Sequence, residues 1–273
     1  MSELDMARTR AAAAYNAAAD HFDHPVNGFW DRFGRATVAG LNLQPGMRVL
    51  DVCSGTGASA LPAAERVGAD GYVLGIDLAE NLLVLARQKA AAAGLGNVEF
   101  RHGDMLTLGL PDAGFDAVVC VFGIFFVPDM AVAVRELWRM VRPGGQLAIT
   151  TWGPDFFEPA NSAFWQTIRH EAPHLHKAFN PWDRISDPTS LRAMLREAGI
   201  VNVDIVEDSA RHPLASPEDW WTTLIGSGYR GTIDQLDAAA FDRVKQANLN
   251  FIEQNGISAV QANVIYALAD KPV

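Results

Sequence analysis

The stretch VLDVCSGTGASALPAAERVG, residues 49–68, decides the fold of this 273-residue chain. Residues 47–52 read as a buried apolar strand carrying one acid, Asp51. The run enters a turn built on Gly55-Thr56-Gly57 and continues into an alanine-rich helix. Glycines at such a turn allow positive φ and let a ligand approach the main chain closely. The helix behind it presents unsatisfied N–H groups and the positive end of its dipole to whatever lies over the turn. The pattern predicts a small-molecule cofactor site at the mouth of a parallel sheet.

Outward from this stretch, strand and helix patterns alternate. YVLGID ends a second strand on Asp77, a carboxylate able to accept two ribose hydroxyls. AENLLVLARQKAAAAG predicts a helix ending at Gly94, and VEFRHGDML a third strand with Asp104 just past its end. Residues 115–129, FDAVVCVFGIFFVPD, form a continuous apolar run, predicting a strand buried on both faces. AVAVRELWRMVRPGG predicts a helix stopped by Pro143-Gly144-Gly145, and QLAITTW a fifth strand. Asp187 and Pro188 mark a helix start as N-cap and first helical residue. Residues 201–208 and 260–272 read as two more strands. The whole predicts a doubly wound α/β fold with ligands at the carboxyl ends of the strands.

Two cofactors fit the turn. Gly55-x-Gly57-x-x-Ala60 with Asp77 beyond it matches the dinucleotide fingerprint, which leaves an NAD(P)-dependent reductase as one reading. The other is S-adenosylmethionine, and Asp51 favours it. A carboxylate there is unfavourable beside a pyrophosphate, yet it can hold the methionine ammonium directly or through water. A non-catalytic S-adenosylmethionine-binding protein stays open as a further alternative.

Four motifs in order, VLDVCSGTG, VLGID, GDM and RPGGQLAI, give residues 48–152 a resemblance to class I S-adenosylmethionine-dependent methyltransferases. In style the chain is similar to the ubiquinone/menaquinone-biosynthesis C-methyltransferase group. The resemblance implies a seven-stranded, mostly parallel, Rossmann-like sheet with a reversed last strand and a helical lid. It implies that Ser54, Gly55 and Gly57 border the cofactor, that Asp77 and Leu78 meet the ribose, and that Asp104 and Met105 flank the adenine. Val121 and Phe122 then lie beside the sulfonium. Cys53 is a departure, since many relatives carry glycine there. The implied boundaries are an N-terminal helical cap over 1–40, a cofactor-binding core over 41–152, and a lid insertion over 153–186. The core continues over 187–215, a second helical insertion covers 216–256, and the last core strand lies in 257–273.

Composition narrows the partners. Half of the chain is hydrophobic, enough for a sizeable core. A net charge of −10 argues against nucleic acid and against an anionic membrane surface. Two cysteines give neither a disulfide framework nor metal-ligand spacing. No apolar signal core or membrane-spanning run is visible, so no membrane insertion is expected and a cytoplasmic location is the default. A homodimer stays open.

The expected acceptor is a small, apolar or aromatic metabolite methylated on O, N or C. The two insertions carry many aromatics, among them Phe156, Phe157, Phe164, Trp165, Phe179 and Trp182, then Trp220, Trp221 and Tyr229. Each can simply pack its helix onto the core; together they favour an apolar acceptor pocket. Tyr15 in the cap is a candidate for contacting the methionine end or the acceptor, with Phe29 and Trp30 lining the entrance. GSGYRG, residues 226–231, repeats G-x-G-x-x-G with no strand before it. It reads as a flexible loop carrying Tyr229 and Arg230 toward an acceptor carboxylate or phenolate. Any of the seven histidines, His21 included, could serve as a base near neutral pH, and sequence does not choose among them. Pro173 interrupts the spacing of His170, His174 and His176, so no metal is expected.

Overall fold

β1 (Arg48–Val52) pairs in parallel with β2 (Tyr72–Asp77) on one side and β4 (Phe115–Val121) on the other. Asp51 thereby stands between Gly75 and Val119. β3 (Val98–His102) flanks β2, and β5 (Val141–Trp152) flanks β4. β9 (Val264–Asp270) runs antiparallel between β5 and β6 (Asp204–Asp208). The resulting order, β3-β2-β1-β4-β5-β9-β6, is the seven-stranded sheet with a reversed last strand that the resemblance implies. This computed structural model describes the backbone over residues 3–273 and side chains from residue 8 onward.

Helices α3 (Ala60–Val67), α4 (Glu80–Ala92), α5 (Met130–Met140) and α7 (Pro188–Glu197) connect the strands and cover the sheet. Their starts follow local chemistry. Asp129 accepts the Val132 N–H, and Asp187 accepts those of Thr189 and Ser190, as an N-cap should. At the N-terminus α1 (Glu3–Phe22) lies against the carboxyl-end side of the sheet, while α2 (Phe29–Gly40) starts there with Trp30 in its first turn and runs over the sheet face, where Thr37 meets Thr150 at 2.7 Å. α6 (Ala160–Glu171), α8 (Pro217–Ile225), α9 (Arg230–Ile233) and α10 (Ala238–Gln254) form a second helical layer, with α10 packed on α6 and α8.

Four expected boundaries move, the simplest at β6, which begins at Asp204 rather than at residue 201. α5 ends at Met140 rather than at Pro143, and Val141 already begins β5. A residue before proline avoids the helical region, so Arg142 is extended; Gly145 then allows the Asp116 carbonyl within 2.6 Å of where a Cβ would stand. The apolar run 115–129 is strand only to Val121. Phe122 turns at φ 54 into a short 3-10 helix, where Ile124 and Phe125 stay buried. Hydrophobicity alone does not distinguish a buried strand from a buried loop. The final strand breaks after Gln261: β8 (Ala259–Gln261) pairs with β7 (Arg211–Pro213) in a separate two-stranded sheet before β9 begins.

Candidate functional site

A pocket of about 1030 Å³, its open mouth included, lies over the carboxyl ends of β1, β2 and β4. Of the residues expected to hold the cofactor, Ser54, Gly55, Asp77, Leu78, Asp104, Met105, Val121 and Phe122 line it. Asp51 and Gly57 do not. They stand one layer behind the wall, and each has a physical task there.

Gly55 and Gly57 take φ values of 53° and 89°, the region that side chains disfavour. A Cβ on Gly57 would also press on Leu61 and Phe100 at 3.0 and 3.1 Å, so Gly57 shapes the turn without touching the ligand space. The turn is pinned by Asp77, whose Oδ2 accepts the Gly55 N–H at 2.9 Å and whose Oδ1 accepts that of Ala79 at 2.8 Å. Each oxygen keeps a lone pair for a ribose hydroxyl. Burial pushes the Asp77 carboxyl up, and the Ala79 and Gly55 N–H groups pull it back. Asp104 lies at the far end, accepting the Leu106 N–H at 2.9 Å and an Arg8 guanidinium N–H reaching over from α1.

Asp51 is the buried charge of the site. Ser59, which lines the pocket, donates to its Oδ2 at 2.7 Å, while Oδ1 is buried with no partner. Burial pushes its pKa up to about 7, against the opposing Ser59 hydrogen bond. A cation near this wall would restore the ionised form. The acceptor set fits S-adenosylmethionine: Asp77 for two hydroxyls, Asp104 for an amine, and the charge of Asp51 behind Ser59 to favour an ammonium in the pocket.

Cys53 holds the glycine-like conformation at φ 61, so the thiol leaves the turn geometry intact. It fits because Gly123, where a Cβ would come within 2.5 Å of the Cys53 Cβ, lies against it. A hydrogen bond with the Cys120 thiol, helped by burial, holds the Cys53 pKa far above the ordinary range. Phe122 is the second non-glycine residue of the pocket wall in the left-handed region. Such strain costs on the order of 1–2 kcal/mol per residue and gathers at functional sites.

The pocket's outer wall comes from the N-terminal helices and the segment after β4. Tyr15, Phe22, Trp30, Phe126 and Val127 line it. Burial, then the Asp77 charge, keeps the Tyr15 phenol protonated, so it is a wall rather than a base. Phe29 stands behind Trp30, 4.5 Å away between ring centres. Arg8, Ser59, Phe126 and Val127 were not singled out from the sequence, where an arginine in an alanine-rich helix or a phenylalanine in an apolar run carries no signal.

Residues 153–256 contribute nothing to the pocket lining among the described residues. Their aromatics pack on one another instead, as Phe156 on Phe157 at 4.1 Å and Phe164 on Tyr229 at 5.0 Å. Three catalytic candidates thereby lie elsewhere. The Tyr229 hydroxyl is spent on Asn161 Oδ1 at 2.6 Å, and its buried ring belongs to that aromatic layer. Arg230 pairs with Asp234 at 2.7 Å and with Asp20 at 3.2 Å, while His21 lies 2.8 Å from Asp20. No histidine lines the pocket among the described residues.

GSGYRG is not a loose loop. It closes α8 and opens α9, and its three glycines face the cap. A Cβ on Gly226 would meet Asn27 Nδ2 at 2.2 Å and the His21 carbonyl at 2.6 Å. On Gly231 it would meet the Ala14 Cβ at 2.8 Å, and on Gly228 the Tyr15 hydroxyl at 3.3 Å. The segment is the seat of α1.

The site and sheet together define a doubly wound α/β protein with a cofactor-sized pocket at the strand ends, and comparison with known proteins gives the family. Residues 49–145 match the family described as methyltransferase domain. Demethylmenaquinone methyltransferase of Geobacillus kaustophilus is 36% identical over 177 residues, 60% of this chain and 75% of that protein. Its counterpart in Listeria monocytogenes is 42% identical over 117 residues, so this chain spans about half (49%) of that relative's length. In fold, a SAM-dependent methyltransferase from Aquifex aeolicus superposes with a TM-score of 0.55 at 24% identity, covering 70% of this chain and 91% of that one. The YcgJ protein of Bacillus subtilis gives 0.59 at 19% identity, covering 89% and 99%. The chain belongs to the class I S-adenosylmethionine-dependent methyltransferases, of the ubiquinone/menaquinone-biosynthesis type.

Proposed function

We propose that the chain moves a methyl group from S-adenosylmethionine to a flat, largely apolar ring of quinone type, at a ring carbon. The observation that carries this is that one pocket is lined by two kinds of group. Asp77 and Asp104, with Asp51 behind Ser59, supply carboxylates, and Tyr15, Phe22, Trp30, Phe122 and Phe126 supply rings. The names of the relatives from Geobacillus and Listeria support a quinone-type ring over other aromatic acceptors. The acidic net charge supports a small molecule over nucleic acid. No described helix is long and apolar enough to cross a membrane, and we place the reaction in the cytoplasm.

When bound, S-adenosylmethionine supplies an activated methyl group on a sulfonium. The residues' part is alignment and exclusion of water, and holding two reactants in attack geometry can lower a barrier by roughly 7–11 kcal/mol. Tyr15 and Cys53 are held protonated, so neither takes a proton from the acceptor. An acceptor that is already nucleophilic, such as a quinol, suits such a site. Its ring carbon would take the methyl as the carbon–sulfur bond breaks to leave S-adenosylhomocysteine. The proton displaced from that carbon would pass to solvent as the ring regains aromaticity.

The test is calorimetric titration with S-adenosylhomocysteine beside NADPH, followed by turnover with a chemically reduced prenylated naphthoquinone. Binding of the first ligand only, and a product carrying one added methyl, are expected. Asp77→Ala and Asp104→Ala each lose about 10- to 100-fold in S-adenosylhomocysteine affinity, the worth of hydrogen bonds to a charged group. Wild-type affinity in both variants overturns the site, and NADPH binding overturns the cofactor.

A further inference from the structure

We propose that Trp30 reads the acceptor: its indole N–H donates a hydrogen bond to an oxygen on the acceptor ring and so sets which edge faces the cofactor. The inference rests on the proposed function, in which a flat ring enters this pocket.

Trp30 enters the wall from the first turn of α2. Its ring stacks on Phe22 at 5.0 Å with 3° between planes, and meets Phe122 and Trp152 edge-on at 5.7 and 5.9 Å. Rings on several sides fix the indole's orientation. Within this apolar frame Nε1 is buried and has no hydrogen-bond partner. A buried donor left unpaired is penalised, and phenylalanine would pack the same rings without that penalty. An unpaired donor in a ligand pocket points to a partner that arrives with the ligand.

The other polar groups of the pocket are already engaged or lie elsewhere. Thr56 donates to Asp23 at 2.7 Å and Ser59 to Asp51 at 2.7 Å. Arg8 is bound to Asp104, and the Cys53 side chain lies against Gly123. The Tyr15 hydroxyl lies against Gly228. Ser54 Oγ also lacks a partner, but it lies over β2, 3.0 Å from where a Cβ of Gly75 would stand, on the side of the carboxylates. Phe22, Phe122, Phe126 and Val127 offer no polar side-chain atom. Among the described residues Trp30 Nε1 is thus the unpaired donor that the rings of the pocket wall surround.

An indole N–H donates and does not accept. It therefore favours a ring bearing a hydroxyl, carbonyl or oxyanion over a bare hydrocarbon ring, and takes no proton from it. One hydrogen bond in an apolar wall gives register to an acceptor whose faces are otherwise alike.

The experiment uses the full chain saturated with S-adenosylhomocysteine, with 2-naphthol and naphthalene as a matched pair of ring probes. Wild type is expected to prefer 2-naphthol by about tenfold, the scale of one good hydrogen bond in a buried site. Trp30→Phe is expected to lose that preference while keeping its affinity for S-adenosylhomocysteine. In the wild-type protein the Trp30 indole proton, assigned by its absence from the variant spectrum, is expected to move downfield with 2-naphthol and to stay with naphthalene. That second measurement stands even if the variant packs poorly. An unmoved indole proton, or equal preference in the two proteins, overturns the inference alone. Failure of both probes to bind overturns the ring acceptor as well. Failure of S-adenosylhomocysteine to bind overturns the cofactor reading beneath both.

Discussion

Two segments of this chain, SGTGASA at 54–60 and GSGYRG at 226–231, share the spacing of a glycine fingerprint and use it for opposite ends. In the first, the backbone angle matters: Gly55 and Gly57 sit at positive φ, and the space beside Gly55 is open to 3.9 Å. In the second, none of the three glycines is at positive φ, and what matters is the missing Cβ, with atoms of α1 and Asn27 within 2.2 to 3.3 Å of its place. One glycine set makes room for a ligand, the other for a helix. The two are connected, since the helix seated on the second motif carries Tyr15 and Phe22 into the pocket beside the first.

Alanine substitutions separate the two uses most sharply. Gly226→Ala forces its methyl against the His21 carbonyl, which is backbone, and against Asn27 Nδ2, the end of a buried side chain tied to that same carbonyl. Overpacking of this kind costs on the order of 3 kcal/mol, a fall in Tm of roughly 6–12 °C for a chain of this size. Gly55→Ala strains one residue by about 1–2 kcal/mol, but its methyl enters the cofactor space. Its larger loss is expected in S-adenosylhomocysteine affinity, with Tm lowered less than in Gly226→Ala. Thermal melts and calorimetry on both variants decide the matter, and the contrast fails if Gly55→Ala proves the less stable or Gly226→Ala the weaker binder.

How far each motif was legible follows from where its partners lie in sequence. The first is flanked by its own strand and helix, and its acids Asp51 and Asp77 sit within 26 residues, 77 − 51. Order and spacing were enough to place the sheet with Asp77 and Asp104 at its strand ends, and the family resemblance added the other six of eight pocket residues. The second makes sense only beside α1, some 200 residues away, so a linear pattern search finds the glycines and not their reason. The same holds for the insertion aromatics. Their number signals burial, but whether Phe156 or Trp165 faces a pocket or another ring depends on contacts that no local pattern encodes. Trp30 and Phe122 escaped full reading for a related reason: one acts through an unpaired N–H, the other through a φ of 54°.

Charge sharpens the comparison further, because only the first motif has a buried acid before it. Asp51 has a folded pKa near 7, above its value in the unfolded chain. The sign follows by linkage: its stabilising share is present below the unfolded pKa and is lost as pH rises through about 7. Cofactor binding runs the other way, since an ammonium favours the carboxylate. Affinity for S-adenosylhomocysteine is expected to fall by up to about tenfold per pH unit below 7, with a proton released on binding at pH 7. Asp51→Asn should bind more weakly and lose this slope. Calorimetry in buffers of different ionisation enthalpy reads the released proton directly. A wild-type profile as flat as that of the variant would separate Asp51 from the cofactor.

The smallest effect is the most diagnostic of how the seat works. A Cβ on Gly228 would stand 3.3 Å from the Tyr15 hydroxyl and 3.7 Å from its ring carbon, close but not overlapping. The Tyr15 ring is held edge-on by Phe22 and Phe126 at 6.3 and 5.7 Å, so it can yield only by a few tenths of an ångström. Against that cost, alanine narrows the unfolded ensemble by about 0.4–1 kcal/mol. The net change in stability for Gly228→Ala is therefore expected within about 0.5 kcal/mol of zero. Adding Tyr15→Phe removes the hydroxyl from the crowded spot, and the double variant should be more stable than the sum of the singles predicts. A denaturant-unfolding cycle on the four proteins measures this coupling. Additive effects would mean that Gly228 does not touch the cap at all, and that α1 rests on Gly226 and Gly231 alone.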